Sequence, residues 1–133
     1  MANNASNYLE NKLLLHIFTN KGGAAFTAPS NLFVSLHTGS PGEANDGSNE
    51  CTGTNYARVT TGDFTVSGNA ADNDGAITFA AAGNAWGTIS HIGIYDTSTS
   101  GNLLFYGALS VSKVVTTGDT FSINAGALDI TLE

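Results

Sequence analysis

Apolar residues recur at helical spacing in the opening stretch, where Tyr8, Leu9, Leu13, Leu14, Ile17 and Phe18 lie three, four or seven positions apart. Ser6 stands just ahead of them, a residue whose hydroxyl caps the first free amides of a helix. The spacing predicts a helix over about 6–19, ended by the stop signals Asn20, Lys21, Gly22 and Gly23. Its apolar residues cover roughly half the circumference, whereas a helix resting on one core needs a stripe of only about 100°. Two readings follow: part of that surface meets another chain, or the helix is wedged between its own sheet and a loop.

From Asn31 the pattern changes to alternation, with Leu32, Val34 and Leu36 facing one way and Phe33, Ser35 and His37 the other. Further strands are predicted over 56–60, 64–67, 76–80, 88–95, 103–111, 120–123 and 127–132, separated by clusters of Gly, Asn and Asp. Eight short strands without intervening helices exclude a parallel sheet, which needs crossover connections. The expected fold is all-β, an antiparallel β-sandwich with about eight strands and one short N-terminal α-helix. A jelly-roll-like arrangement fits, and so does an immunoglobulin-like one. The stretch from Gly39 to Thr54, with Pro41 and several Gly and acidic residues, is expected to be a long exposed loop. A chain of 133 residues is read as one domain, with the helix at about 6–19 and the sandwich at about 31–133.

Composition narrows the function classes. Charged residues make up only 11% of the chain, so Ser, Thr, Asn and Gly must solvate its surface. The net charge of −7 would repel a phosphate backbone, and no nucleic-acid partner is expected. Cys51 is the only cysteine, which excludes an internal disulfide and a cysteine-based zinc site. No apolar run approaches the roughly 20 residues that span a bilayer, and the first residues lack the basic start and apolar core of a secretory signal. Assembly in a bacterial cytoplasm, without membrane attachment, is the expectation.

Candidate chemistry is sparse. Asp72-Asn73-Asp74-Gly75 opens like a calcium loop, but the twelfth position is Gly83, where such a loop needs a bidentate Glu. A turn between two strands is the better reading. His16, His37 and His91 lack the close spacing of a metal motif, and a surface or hydrogen-bonded role is expected for His37 and His91. Gly39-Ser40-Pro41-Gly42 lacks the flanking glycines of a hydrolase elbow. No catalytic residue, cofactor or metal is expected, and the chain is read as a non-enzyme. Trp86 and Tyr95 bracket a predicted central strand and are assigned to the core by default.

Several segments carry a resemblance: Asn7-Tyr8-Leu9-Glu10-Asn11-Lys12, Leu32-Phe33-Val34-Ser35-Leu36-His37-Thr38, Tyr56-Ala57-Arg58, the run from Trp86 to Asp96, Gly101-Asn102-Leu103-Leu104-Phe105-Tyr106-Gly107, and Gly118-Asp119-Thr120-Phe121. Through them nearly the whole chain resembles a family of small phage virion structural proteins, often labelled tail-fibre-like and similar to head decoration or cement proteins. That resemblance implies a virion component. The first expectation is a decoration protein on the head surface that self-associates, as dimer or trimer, and binds the major capsid protein. The alternative is a fibre, baseplate or receptor-binding component of the tail. The expected contact residues are Tyr8, Leu9, Leu13, Leu14, Ile17 and Phe18, with Arg58 as an anchor or as half of an intrachain salt bridge.

Overall fold

Ser6 starts the helix as its position predicts. Its backbone is extended, its hydroxyl accepts the Leu9 amide at 3.2 Å, and α1 runs Asn7–Leu14. The chain continues through a π-helical turn at Leu15–Thr19, so the predicted helical span is reached by widening the last turn. This computed structural model describes residues 4–19, 26–44 and 49–132. The stop signals Asn20 to Gly23 lie outside the described residues.

Ten strands are formed among the described residues: β1 Asn4–Ala5, β2 Phe33–His37, β3 Val59–Thr60, β4 Phe64–Ser67, β5 Ala70–Asn73, β6 Ile77–Thr78, β7 Gly87–Tyr95, β8 Leu103–Val115, β9 Ser122–Ile123 and β10 Asp129–Thr131. They build a five-stranded sheet in the order β1-β8-β7-β2-β3, a three-stranded sheet β10-β5-β4 and a pair β6-β9. Every registered pairing is antiparallel. Strands distant in sequence lie side by side, as β2 does with β7 and β5 with β10. Val34, Leu36, Ile77, Phe79, Trp86, Ile89, Ile92, Ile94, Phe121 and Leu128 form one apolar core between the sheets. The fold is an all-β antiparallel sandwich with one short helix.

Three expectations are corrected or narrowed. Asp72 and Asn73 are the end of a strand, and only Asp74-Gly75 turn. Ala70–Asn73 has weak β preference on its own, but pairing with β4 on one side and β10 on the other satisfies its backbone. Asn73 is buried there, its amide donating to the carbonyls of Gly75 and Asn124 while its side-chain oxygen accepts the Leu128 amide. Second, of the surface and hydrogen-bonded roles expected for His37 the hydrogen-bonded one is found: Ser35 and His37 are both fully buried, because β2 is an interior strand covered on both faces. Ser35 Oγ and His37 Nε2 lie 2.7 Å apart, and the His37 ring stacks on Tyr95. Third, the predicted exposed loop returns to the sheet. Thr38 donates to the Asn49 carbonyl, Cys51 donates to that of Leu36, and Glu50 bridges His37.

Candidate protein-interaction surfaces

The helix owes its position to β8. Ser6 donates its amide to the Leu104 carbonyl at 2.8 Å and its hydroxyl to that of Leu103, while β1 pairs with Tyr106 and Phe105. A chain held at that end turns Leu9 inward, and its side chain is buried. Tyr8 and Leu13 are half-buried. The opposite outcome holds further along: Leu14 is 57% exposed, Ile17 67% and Phe18 71%. These three lie where α1 passes into the π-helical turn, and together they form an exposed apolar ridge at that end of the helix. The helix is thus packed on its own sheet at Leu9 and leaves apolar surface open around Leu14, Ile17 and Phe18. Leu9 leaves the set of expected contact residues, since its surface is already covered within the chain.

Arg58 is also engaged within the chain. Its Nε and Nη2 donate to the two carboxylate oxygens of Glu50, each at 2.7 Å, and Nη1 donates to the carbonyls of Thr97 and Ser100 at 3.1 and 2.7 Å. The guanidinium carbon stands 3.5 Å from the centroid of the Tyr95 ring. Side-chain exposure is 6% for Arg58 and 18% for Glu50, so this is a largely buried pair and the intrachain reading of Arg58 is the one realised. Burial raises the Glu50 carboxyl, but the Arg58 hydrogen bonds and charge outweigh it and hold the group below the usual carboxylate range. Tyr56 completes the arrangement: its hydroxyl donates to Glu50 and accepts the Leu36 amide, and burial pushes its ionisation upward. Together they fasten the ends of two loops, around Glu50 and around Thr97 to Ser100, onto the sheet. Arg58 was visible in the sequence as a scarce cation, whereas Glu50 was hidden among the acids of the loop.

A second apolar surface flanks the far half of β8. There Leu109 to Ser112 stand opposite Ser90 alone, a bulge that throws Val111 outward. Val111 and Val114 are exposed, and with Leu109, Val115, Phe121 and Ile123 they line an open groove of about 600 Å³ between β8 and β9. Lys113 and Asp119 stand on it as well. Asp119 accepts the amide and hydroxyl of Thr116, both at 2.9 Å, bonds that favour its charged form.

Among the described residues no three His, Cys, Asp or Glu side chains converge to hold a metal, and no helix is long and apolar enough to cross a membrane. Comparison with known families matches residues 4–131 to the model described as podophage GP4 fiber I protein gp80. The chain belongs to this family. No curated protein matches it. As a member of the fiber I gp80 family it is a phage virion structural protein, which agrees with the resemblance drawn from its helix, strand and turn segments. For a fiber I family protein the informative surfaces are those left open by its own fold: the ridge of Leu14, Ile17 and Phe18, and the β8–β9 groove.

Proposed function

We propose that this chain is a fibre component of a podophage virion and acts by binding neighbouring virion subunits, without catalysing a reaction. The observation that carries the proposal is the exposed ridge of Leu14, Ile17 and Phe18 in a chain matched along its length to a fibre family. Large apolar side chains gathered on one solvent-facing surface mark interaction sites. A non-catalytic role is supported by the state of the reactive groups. Glu50 and Arg58 satisfy one another, and Cys51 is buried, with burial raising its thiol away from the reactive thiolate.

Head decoration is the second reading, because a small sandwich with surplus apolar surface suits a clamp between capsid subunits equally well. It uses the same ridge and differs in the particle that receives it, either the major capsid lattice or the tail. The family description favours the fibre. Gold-labelled chain added to particles lacking it separates the two: label at the tail supports the fibre, label spread over the head supports decoration. Absence of label from both would overturn the proposal.

A further inference from the structure

We infer that the open edge of β4 pairs with β4 of a second copy of this chain, antiparallel about a two-fold axis at Thr65, so that the sheet β10-β5-β4 runs on through both copies. The inference is independent of the ridge at the end of α1, on which the function proposed above rests.

An unpaired edge strand is a template for another strand, and proteins blunt such edges with charge, bulges, Pro or short length. Most edges of this fold are blunted in that way. Among the described strands β1, β3, β6 and β9 have two residues each, β10 carries Asp129, and the far half of β8 carries its bulge and Lys113. β4 is the exception. Phe64–Ser67 bears no charge and no Pro, its register with β5 is unbroken, and it makes its main contacts with β5.

The hydrogen-bond phase of the β4–β5 hairpin shows what this edge offers. Asp74 donates its amide to the Asp63 carbonyl, so the residues bonded across to β5 alternate as Asp63, Thr65 and Ser67. The N–H and C=O groups of Phe64 and Val66 therefore point away from β5, and they form no hydrogen bond among the described residues. Donors and acceptors alternating in this way match an extended strand. They also match themselves. With Thr65 opposite Thr65 of the second copy, Phe64 exchanges both of its bonds with Val66 of the second copy, and Val66 does the same with Phe64 of the second copy. Every outward group of both strands is then paired. A register centred on Phe64 or on Val66 instead leaves the other residue facing Gly62 or Gly68, outside the strand.

The side chains agree with the same register. Phe64 and Val66 share a face, on which Phe64 packs against the core while Val66 is 71% exposed. Pairing sets Val66 against Phe64 of the second copy, an aromatic and β-branched pair that covers it, and brings the two exposed Thr65 side chains together on the other face. Asp72 stands opposite Thr65 on that face, between Asp63 and Asp74 at the same end of the hairpin. In the joined sheet the two Asp72 residues lie three strand spacings apart, about 14 Å. That exceeds the Debye length of about 8 Å at physiological ionic strength, so salt permits the pairing and low salt opposes it. A contact of one short strand per copy covers less than the roughly 800 Å² per partner of a standard interface. It is weak in the free chain and gains strength when copies are held together on a particle. A two-fold contact closes on itself and stops at the dimer.

Sedimentation velocity of the full chain over rising concentration, at low and moderate salt, tests this together with amide exchange read by NMR. The wild type is expected to reach a dimer and nothing larger, and to associate more tightly in salt. In the dimer the amides of Phe64 and Val66 should exchange about tenfold more slowly, whereas that of Thr65, already bonded to β5, changes little. Val66→Pro removes an outward donor without touching the ladder to β5 and should weaken association about tenfold. Near-UV circular dichroism verifies folding, and Val66→Lys, which keeps the amide and puts a charge on the edge, serves in its place if the Pro variant unfolds. Leu14→Ser with Phe18→Ser should dimerise as the wild type does. A chain that stays monomeric up to its solubility limit overturns the inference. So does a dimer in which the Phe64 and Val66 amides exchange as in the monomer, or one that the ridge variant loses and Val66→Pro keeps. Each of these leaves the ridge and the function proposed above to their own test on particles.

Discussion

Arg58 grips both carboxylate oxygens of Glu50 at 2.7 Å while its guanidinium carbon lies 3.5 Å from the centre of the Tyr95 ring. One side chain thus joins a loop end, a central strand and, through Thr97 and Ser100, the loop beyond β7. Removing one member of such a pair strands a buried charge, so Arg58→Ala should cost roughly 3 kcal/mol in urea unfolding. Arg58→Lys should recover little of it, since an ammonium cannot make the paired bonds or stack on the ring. A loss below about 1 kcal/mol for Arg58→Ala would show the pair to be dispensable.

Acid should weaken the same fastening. Glu50 has a folded ionisation below its ordinary value of 4.5, so its contribution is fully present above that pH and is lost as pH falls through the lowered value. Thermal melts are expected to drop as pH is lowered from about 4.5, and Glu50→Gln should be less stable at neutral pH with a flatter acid slope. An unchanged slope in Glu50→Gln would remove Glu50 from the acid response.

Gly93 is fixed by close approach. A methyl group placed there would lie 2.8 Å from Ser35 Oγ, 2.9 Å from Leu103 Cδ1 and 3.1 Å from His37 Nε2. Gly93→Ala should destabilise by about 1–3 kcal/mol through overcrowding of this face, measured by chemical unfolding. A neutral effect would mean that the neighbours move aside freely.

The Ser6 hydroxyl serves two elements, accepting from Leu9 and donating to Leu103. Ser6→Ala should lower stability by about 1–2 kcal/mol, and amide exchange should rise first in α1. Uniform loss of protection across the sheets would assign Ser6 to the global core instead.

Much of this fold was legible in the chain. Ser6 and the spacing from Tyr8 to Phe18 located the helix, and alternation located the cores of β2, β4, β7 and β8. The failures share a cause: tertiary pairing overrides local preference. Ala70–Asn73 reads as linker and turn, yet flanking strands on both sides make it a strand. For His37 the alternation left a surface and a hydrogen-bonded role open, and burial of both faces of β2 decides for the second, pairing it with Ser35, which also donates to the Gly93 carbonyl. The helix circumference signalled surplus apolar surface without revealing its division, which depends on where Ser6 ties the helix to β8. Glu50 carried no local signal as the partner of Arg58, since bringing them together requires the loop to return along β2.

Hydroxyl-radical footprinting of Leu14, Ile17 and Phe18, in the free chain and in intact virions, bears most directly on the proposed role. Heavy labelling of all three in the free chain and strong protection in the particle is the predicted result. Equal labelling in both states would contradict the claim that these side chains hold the chain to its neighbours.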